Sequence, residues 1–355
     1  MRYKVLSLLV VFTLLVTNSQ AQFSIQKAVL EIFAGAGFQY IPDAYVKSQA
    51  VLTTYPNAIA IYLHNGDSMA IAEESNLNGF YSPAYPQALI NRSGTLYSRN
   101  AWAGQVGSVL AGAAPVTVSF DFVAYDAPTR KLDVFVKAIF TAALSGDMRF
   151  NCVVVEDSVT GTGAGFDQGN ADNTTPGHPY YGAGNPIVGI PHPYVARAYL
   201  GGAWGTSGVI PGTVAFGGQY LYHYTYTLPA HINPYQVSLV GMVTAYDGNN
   251  PEDRKILNAE LYPQIATAPI SGISQTPGMP PAGFSIYPNP SAGQFIIEAE
   301  RDGEIEITNT TGEVVYAQPV KQGTNQVRTW LAGGSYFAKL KTTHAVVVKP
   351  LLIAH

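Results

Sequence analysis

The sequence predicts an α+β chain of several domains, an α/β domain followed by two β-sandwiches, and three observations carry that expectation. The first is length, because 355 residues exceed the roughly 100–200 of a single domain. The second is composition: 35 glycines, 24 prolines and 23 tyrosines against only 12% charged residues suit strands cut by turns better than helices with charged faces. The third is pattern, since strands alternate with helices near the N-terminus and give way to strands alone further on. The expected boundaries are 1–21 for a leader, 22–112 for the α/β domain, 113–265 for a β-sandwich, 266–283 for a linker and 284–355 for a small C-terminal sandwich.

Residues 1–21 begin with Arg2 and Lys4, continue with the apolar run Val5 to Val16 and end in Ser19-Gln20-Ala21. A charged start, an apolar centre and small residues at the recognition positions make a secretory signal peptide, cut between Ala21 and Gln22. The apolar run is shorter than the roughly 20 residues of a membrane helix, and no later segment is long and apolar enough, so no membrane span is expected once the leader is removed. With a formal net charge of −4 and no basic cluster, nucleic acid is not an expected partner.

The run 27–33 (KAVLEIF) reads as a strand, Asp43 to Thr53 as a helix, Ala58 to Leu63 and Ala88 to Ile90 as further strands, and Arg99 to Leu110 as a second helix. That order implies a parallel pair with right-handed crossovers, a thioredoxin-like layout. Strands alone follow at Val116 to Phe122, Leu132 to Phe140 and Asn151 to Val155, and again at Tyr220 to Leu228 and Val237 to Thr244, as in a β-sandwich. Within them Tyr220, Tyr222, Tyr224 and Tyr226 share one face, which is sheet packing with a sugar-stacking platform as the alternative. Cys152, the only cysteine, reads as a buried strand residue, and one cysteine makes no internal disulfide.

Between these strands lies a segment, 161–218, too long for a simple connection and therefore a candidate carrier of function. Asp167, Asn170 and Asp172 are oxygen donors on a glycine-containing turn. Calcium is the one candidate ion there, although the spacing misses the Asp-x-Asp-x-Asp-Gly register. His178 and His192 each precede a proline and, with Asp167, form a candidate metal or acid–base group. His64 and Asp67 follow a strand at the end where α/β folds collect ligands. No Gly-x-Ser-x-Gly elbow, phosphate loop, His-Glu-x-x-His motif or cysteine pair is present, so no catalytic residue is assigned and no cofactor beyond calcium is expected.

At the C-terminal end, the Pro/Gly-rich stretch Gly272 to Gly283 reads as an extended linker. Short strands follow: Phe284 to Tyr287, Phe295 to Ile297, Ile305 to Ile307, Val314 to Tyr316, Tyr336 to Ala338 and Val346 to Val348. The opening Tyr287-Pro288-Asn289-Pro290, the Thr311-Gly312 hairpin, the run Leu331 to Phe337 with Gly334 in it, and a last basic strand ending in Lys349 resemble the C-terminal sorting domain of type IX secretion substrates in the Bacteroidota. The resemblance covers residues 284–352 and implies a small immunoglobulin-like sandwich that engages the type IX machinery. It also implies passage through the periplasm and across the outer membrane to the cell surface or the medium.

The longer part of the chain, roughly 27–262, resembles the family of secreted proteins related to outer membrane protein 28 of the Bacteroidota. The residues that carry this are Val29 to Phe33, His64-Asn65-Gly66-Asp67-Ser68-Met69, Tyr85 to Arg92, His192 to Arg197 and Ile256 to Glu260. Where that family has Cys-x-x-Cys-Pro, this chain has Phe38, Ile41 and Pro42. Disulfide exchange needs an attacking thiolate and a second sulfur, so the resemblance implies a thioredoxin-like scaffold without its redox chemistry. The same layout predicts a cis bond at Tyr85-Pro86. The edge formed by Phe38, Tyr40, Ile41 and Pro42, with His64 and Asp67, is the candidate binding surface. The expected function is an exported, non-catalytic binding protein for an unidentified surface protein or glycan. The alternative is a metal-dependent extracellular enzyme using the 161–218 loop.

Overall fold

The computed structural model describes residues 24–266, 283–289, 291–309, 313–342 and 346–353. The predicted leader with Ala21 and Gln22, nearly all of the linker, Pro290 and Gly312 lie outside the described residues. The chain divides into two compact units, Met1–Thr267 and Ala268–His355.

The first unit opens with strand β1 (Ala28–Ala34), helix α1 (Ile41–Thr54), strand β2 (Ala58–His64), helix α2 (Ala72–Tyr81), strands β3 (Gln87–Ile90) and β4 (Leu96–Ser98) and helix α3 (Trp102–Leu110). Strands β5 (Val116–Asp126), β6 (Lys131–Phe140), β7 (Leu144–Ser145), β8 (Asp147–Glu156), β9 (Val195–Tyr199), β10 (Thr213–Val214), β11 (Gln219–Thr227), β12 (Val237–Tyr246) and β13 (Ile256–Tyr262) complete it. α1 starts where Pro42 needs no hydrogen-bond partner for its nitrogen and Asp43 sits in the positive first turn. Helix α2, with its polar run Glu73-Glu74-Ser75-Asn76, is absent from the sequence expectation.

β1 and β2 pair in parallel, while β3 runs antiparallel to β1. The sheet does not stop at residue 112. Its eight strands run β13-β12-β8-β9-β2-β1-β3-β4, so the segments expected as two domains, 22–112 and 113–265, share one sheet and one unit. The expected sandwich partner survives as the separate sheet β11-β6-β5. It packs Val134, Val136 and Phe140 against Cys152, Val154, Leu239 and Val243. Alternation along β1 divides its side chains between two cores. Leu30 and Ile32 meet Ile41 and Tyr45 of α1 and Trp102 of α3, whereas Val29 and Phe33 share the other core with Leu77 of α2.

Tyr220, Tyr222, Tyr224 and Tyr226 pack against the sandwich core, as sheet packing requires. The opposite, outer face carries Gln219, Leu221, His223, Thr225 and Thr227, with His223 stacked on Phe135 at 4.2 Å.

The described residues of the second unit form a seven-stranded sandwich. Strands β14 (Phe284–Tyr287), β15 (Gln294–Ala299), β16 (Gly303–Thr308), β17 (Val314–Val320), β18 (Gly323–Arg328), β19 (Gly334–Lys341) and β20 (Val346–Ile353) form the sheets β14-β15-β18 and β17-β16-β19-β20. Phe284, Phe295, Ile297, Ile307, Leu340 and Leu351 fill the space between them.

Candidate functional site

The turn after β1 carries Phe38, Tyr40 and Ile41. Ile41 is fully buried, and Phe38 is 37% exposed with its ring flat on Tyr85, the centroids 4.2 Å apart. The Tyr85–Pro86 bond is cis. Tyr40 is 52% exposed and lies under the Arg99 guanidinium at 5.0 Å. The candidate surface is therefore smaller than the sequence reading made it. Phe38 and Tyr40 face solvent, but Ile41, Pro42 and His64 are buried, because an apolar residue and a proline at the start of α1 belong to the helix–sheet core. The remaining thiol, Cys152, is enclosed in the sandwich core, and burial pushes its pKa up, so it is neither exposed nor ionised at neutral pH.

The long loop closes over this turn. The Gln168 side-chain amide donates to the carbonyls of Ala36 at 2.9 Å and Phe38 at 2.8 Å. The backbone N–H groups of Gly169 and Ala171 donate to Ala36 and Gln39 at 2.8 and 2.9 Å. A Cβ on Gly169 would come within 3.3 Å of the Gly37 carbonyl, so a larger residue there would push the turn back by a few tenths of an ångström. The loop thus serves the turn as a cover. Gln168 was not singled out in the sequence, since a glutamine in a polar loop carries no local signal.

His64 and Asp67 meet as expected: the Asp67 carboxylate accepts the Nδ1–H of His64 at 2.7 Å and the N–H groups of Ala36 and Met69, both at 2.8 Å. Burial opposes its charge, but these hydrogen bonds prevail and hold the carboxyl below the usual range. His192 joins them edge-on, its ring centroid 5.4 Å from that of His64. Burial, reinforced by the neighbouring His64, lowers the His192 pKa to about 4. The ring is thus neutral, donating from Nε2 to the Phe166 carbonyl at 2.7 Å and accepting at Nδ1 from Tyr45 at 2.8 Å. The Nε2 of His64 is buried and without a hydrogen-bond partner.

Of the calcium candidates Asp167, Asn170 and Asp172, each aspartate has one buried oxygen without a hydrogen-bond partner. Asn170 spends its oxygen on the Asp172 N–H and its amide on the carbonyls of Tyr180 and Gly184. Asp172 instead faces His178 at 3.8 Å, and His178 reaches Asp43 at 3.4 Å. The expected grouping of His178, His192 and Asp167 does not form, because His192 is held among Tyr45, His64 and Phe166. Among the described residues no three His, Cys, Asp or Glu side chains converge as metal ligands would.

The sequence also gave no warning of a buried ion pair in the central sheet. Arg92 grips both oxygens of Glu31 at 2.6 and 2.7 Å, and Tyr199 donates to Glu31 at 2.7 Å. Asn91 and Arg92 both adopt left-handed backbone angles, with φ of 46° and 49°. Asn91 anchors that turn by accepting the Val29 N–H at 2.6 Å and donating to Lys27 at 3.0 Å.

In the second unit Asn289 acts as a strand surrogate. Its Oδ1 accepts the Leu352 N–H at 2.8 Å, its Nδ2 donates to the Pro350 carbonyl at 2.9 Å, and the Ser291 N–H donates to the Leu352 carbonyl at 2.8 Å. The segment after β14 is thereby stitched to β20. Tyr287 is 45% exposed, Gly334 opens β19, and Lys349 lies on β20 with its ammonium 5.8 Å from the Phe284 ring.

The described residues of the second unit thus form a small sandwich closed by its first and last segments. Residues 285–354 match the family of secretion system C-terminal sorting domains, and such a tail implies type IX export to the cell surface or the medium. No curated protein matches the sequence. Among solved structures, HBP35 of Porphyromonas gingivalis is similar over 93% of this chain and 99% of that chain, at 15% identity and a TM-score of 0.53, a likeness of fold. Neural ectodermal development factor IMP-L2 covers 66% of this chain and 93% of that chain at 10% identity. Its TM-score of 0.15 carries no argument. The beta-D-glucuronidase of Dictyoglomus thermophilum is similar over 62% of this chain and 36% of that chain, at 10% identity and a TM-score also of 0.15. No helix among the described residues is long and apolar enough to cross a membrane.

Proposed function

We propose that the protein is an exported, non-catalytic binding protein whose first unit is a thioredoxin-like scaffold of the outer membrane protein 28-related kind without its redox pair. The observation that carries this reading is the turn itself. Phe38 is stacked on Tyr85, Ile41 is in the core, and Gln168 ties the turn's carbonyls to the covering loop. Chemistry that needs two sulfurs has no atoms there to perform it. The exposed rings of Phe38 and Tyr40 leave a small aromatic surface on which a surface protein or glycan can rest.

A dithiol-driven disulfide reductase assay on the purified protein checks the first half of the reading, with no rate above the protein-free blank expected. Catalytic turnover would overturn it. For the second half, the wild-type chain and the Tyr40→Ser variant are compared for retention on intact cells lacking the endogenous protein. Weaker retention of the variant supports the aromatic surface, and equal retention removes it. Deletion of residues 284–355 is expected to leave the chain in the periplasm.

A further inference from the structure

The eight-stranded sheet has a gap in its middle. β2 and β9 are neighbours through one residue pair alone, Tyr62 with Val195. Odd-numbered residues of β2 turn their backbone groups toward β1: the Ala28 N–H donates to Asn57 and the Asn65 N–H donates to Ala34, at 3.0 and 2.9 Å. Even-numbered residues therefore point the other way. Tyr62 finds the Tyr194 carbonyl at 2.8 Å, and the next such residue toward the start of the strand is Ala60.

In the register set by Tyr62 and Val195, the rung at Ala60 needs the carbonyl of His192 and the N–H of Tyr194. Both are taken. The His192 carbonyl accepts from the Val159 N–H at 2.9 Å, and the Tyr194 N–H is held by Asp157 at 3.2 Å. Pro191 and Pro193 flank this stretch and bring no donors of their own. Ala60 is only 5% exposed, yet its N–H and C=O face a cavity of about 500 Å³ lined by Leu52, Ile59, Val155, Val240 and Leu261, with Gln236 and Ser238 among its polar groups. Its size lies within the roughly 300–1,000 Å³ of small-ligand sites.

We propose that this gap is a docking slot for a short extended peptide from a partner protein, which adds as a strand beside β2. The occupant is set by the chemistry of the slot. A buried backbone N–H and C=O side by side require a donor and an acceptor at peptide spacing, which an extended chain supplies and an apolar small molecule does not. The lining mixes aliphatic residues with Asp157, Tyr194, Tyr235, Gln236 and Ser238, which suits short side chains, apolar or hydroxylated. The slot lies apart from the Phe38–Tyr40 surface, so its failure leaves the proposed function standing.

The test uses a library of acetylated and amidated tetrapeptides built from alanine, valine, serine and threonine, screened at millimolar concentration against the purified full chain. The readout is hydrogen exchange of the Ala60 amide. At saturation the best member is expected to slow that exchange at least tenfold, and its twin N-methylated at the central peptide bonds is expected not to. Leu261→Trp, which fills the cavity from a solvent-facing strand, is expected to weaken binding at least tenfold. Gln264→Trp at the exposed rim takes its place if that variant does not fold. Absence of any effect at Ala60 across the library overturns the proposal. Equal binding of the N-methylated twin also overturns it and makes the cavity a site for apolar small molecules.

Discussion

Where the N-terminal unit encloses Glu31, Arg92, His64 and His192, each with at most 1% of its surface exposed, the described residues of the C-terminal unit enclose only Ser291, Thr308 and Thr329 as polar side chains. The second unit is a sandwich held by aliphatic and aromatic burial, with polar groups spent on its edges, as Asn289 is. The first unit uses buried charge to tie together strands distant in sequence: Arg92 and Glu31 are 61 residues apart, and Tyr199 and Glu31 are 168 apart. A buried ion pair is not automatically stabilising, but one left with a single member is costly. The first unit is thus more exposed to single substitutions and to acid than the second.

The sharpest way to break that contrast is Arg92→Ala, which leaves Glu31 enclosed without its partner. It is expected to cost about 3–5 kcal/mol in denaturant melts followed by tryptophan fluorescence. That probe reports the first unit, because Trp102 is buried there while Trp330 of the second unit is 93% exposed. Replacing both partners, as Glu31→Leu with Arg92→Met, is expected to recover most of the loss. Equal damage from single and double variants would show that packing, not charge, holds this region.

Acid is expected to act next in size. The pKa of His192 falls from 6.5 to about 4, so between those values the unfolded chain binds the proton that the folded chain refuses. The stability this neutral ring contributes is present above pH 6.5 and declines as pH falls toward 4, by roughly 2–3 kcal/mol. Asp67, held below the usual carboxylate range, loses its contribution in the same direction at still lower pH. Urea melts at pH 7 and pH 4.5 measure this, and His192→Gln is expected to flatten the slope. An unchanged slope in that variant would assign the acid sensitivity elsewhere.

In the C-terminal unit Asn289→Ala removes two hydrogen bonds to the last strand and is expected to cost about 1–2 kcal/mol. The melt of the first unit stays unchanged. The smallest effect belongs to Phe38→Ala, expected at about 0.5–1.5 kcal/mol, the worth of a half-exposed aromatic pair. A much larger loss would make the turn part of the core and remove it as a surface.

How far these features could be read in advance follows from their range. The Tyr287-Pro288-Asn289-Pro290 opening and the alternating strands of the sandwich are local patterns, and residues 285–354 match the sorting-domain family. That positions 38 and 41 carry no cysteine was equally plain, because Phe38 and Ile41 are identities rather than contacts. The extent of the binding edge was not, since burial at Ile41, Pro42 and His64 depends on which face α1 and the loop present. The calcium reading of Asp167, Asn170 and Asp172 rested on spacing in a turn. In the structure Asn170 is consumed by that turn's own hydrogen bonds.

By itself the sequence determined the export tail, the mostly β character and the single cysteine, Cys152, because composition, short-range alternation and residue identity are written one residue at a time. Only the tertiary structure decided that 22–112 and 113–265 share one sheet, that Gln168 closes the turn, that Arg92 meets Glu31, and that Ala60 is left without its rung. Each of those is a pairing between segments tens of residues apart. Its partner is chosen by the geometry of the whole sheet, where register and burial select among many donors and acceptors that look alike in sequence.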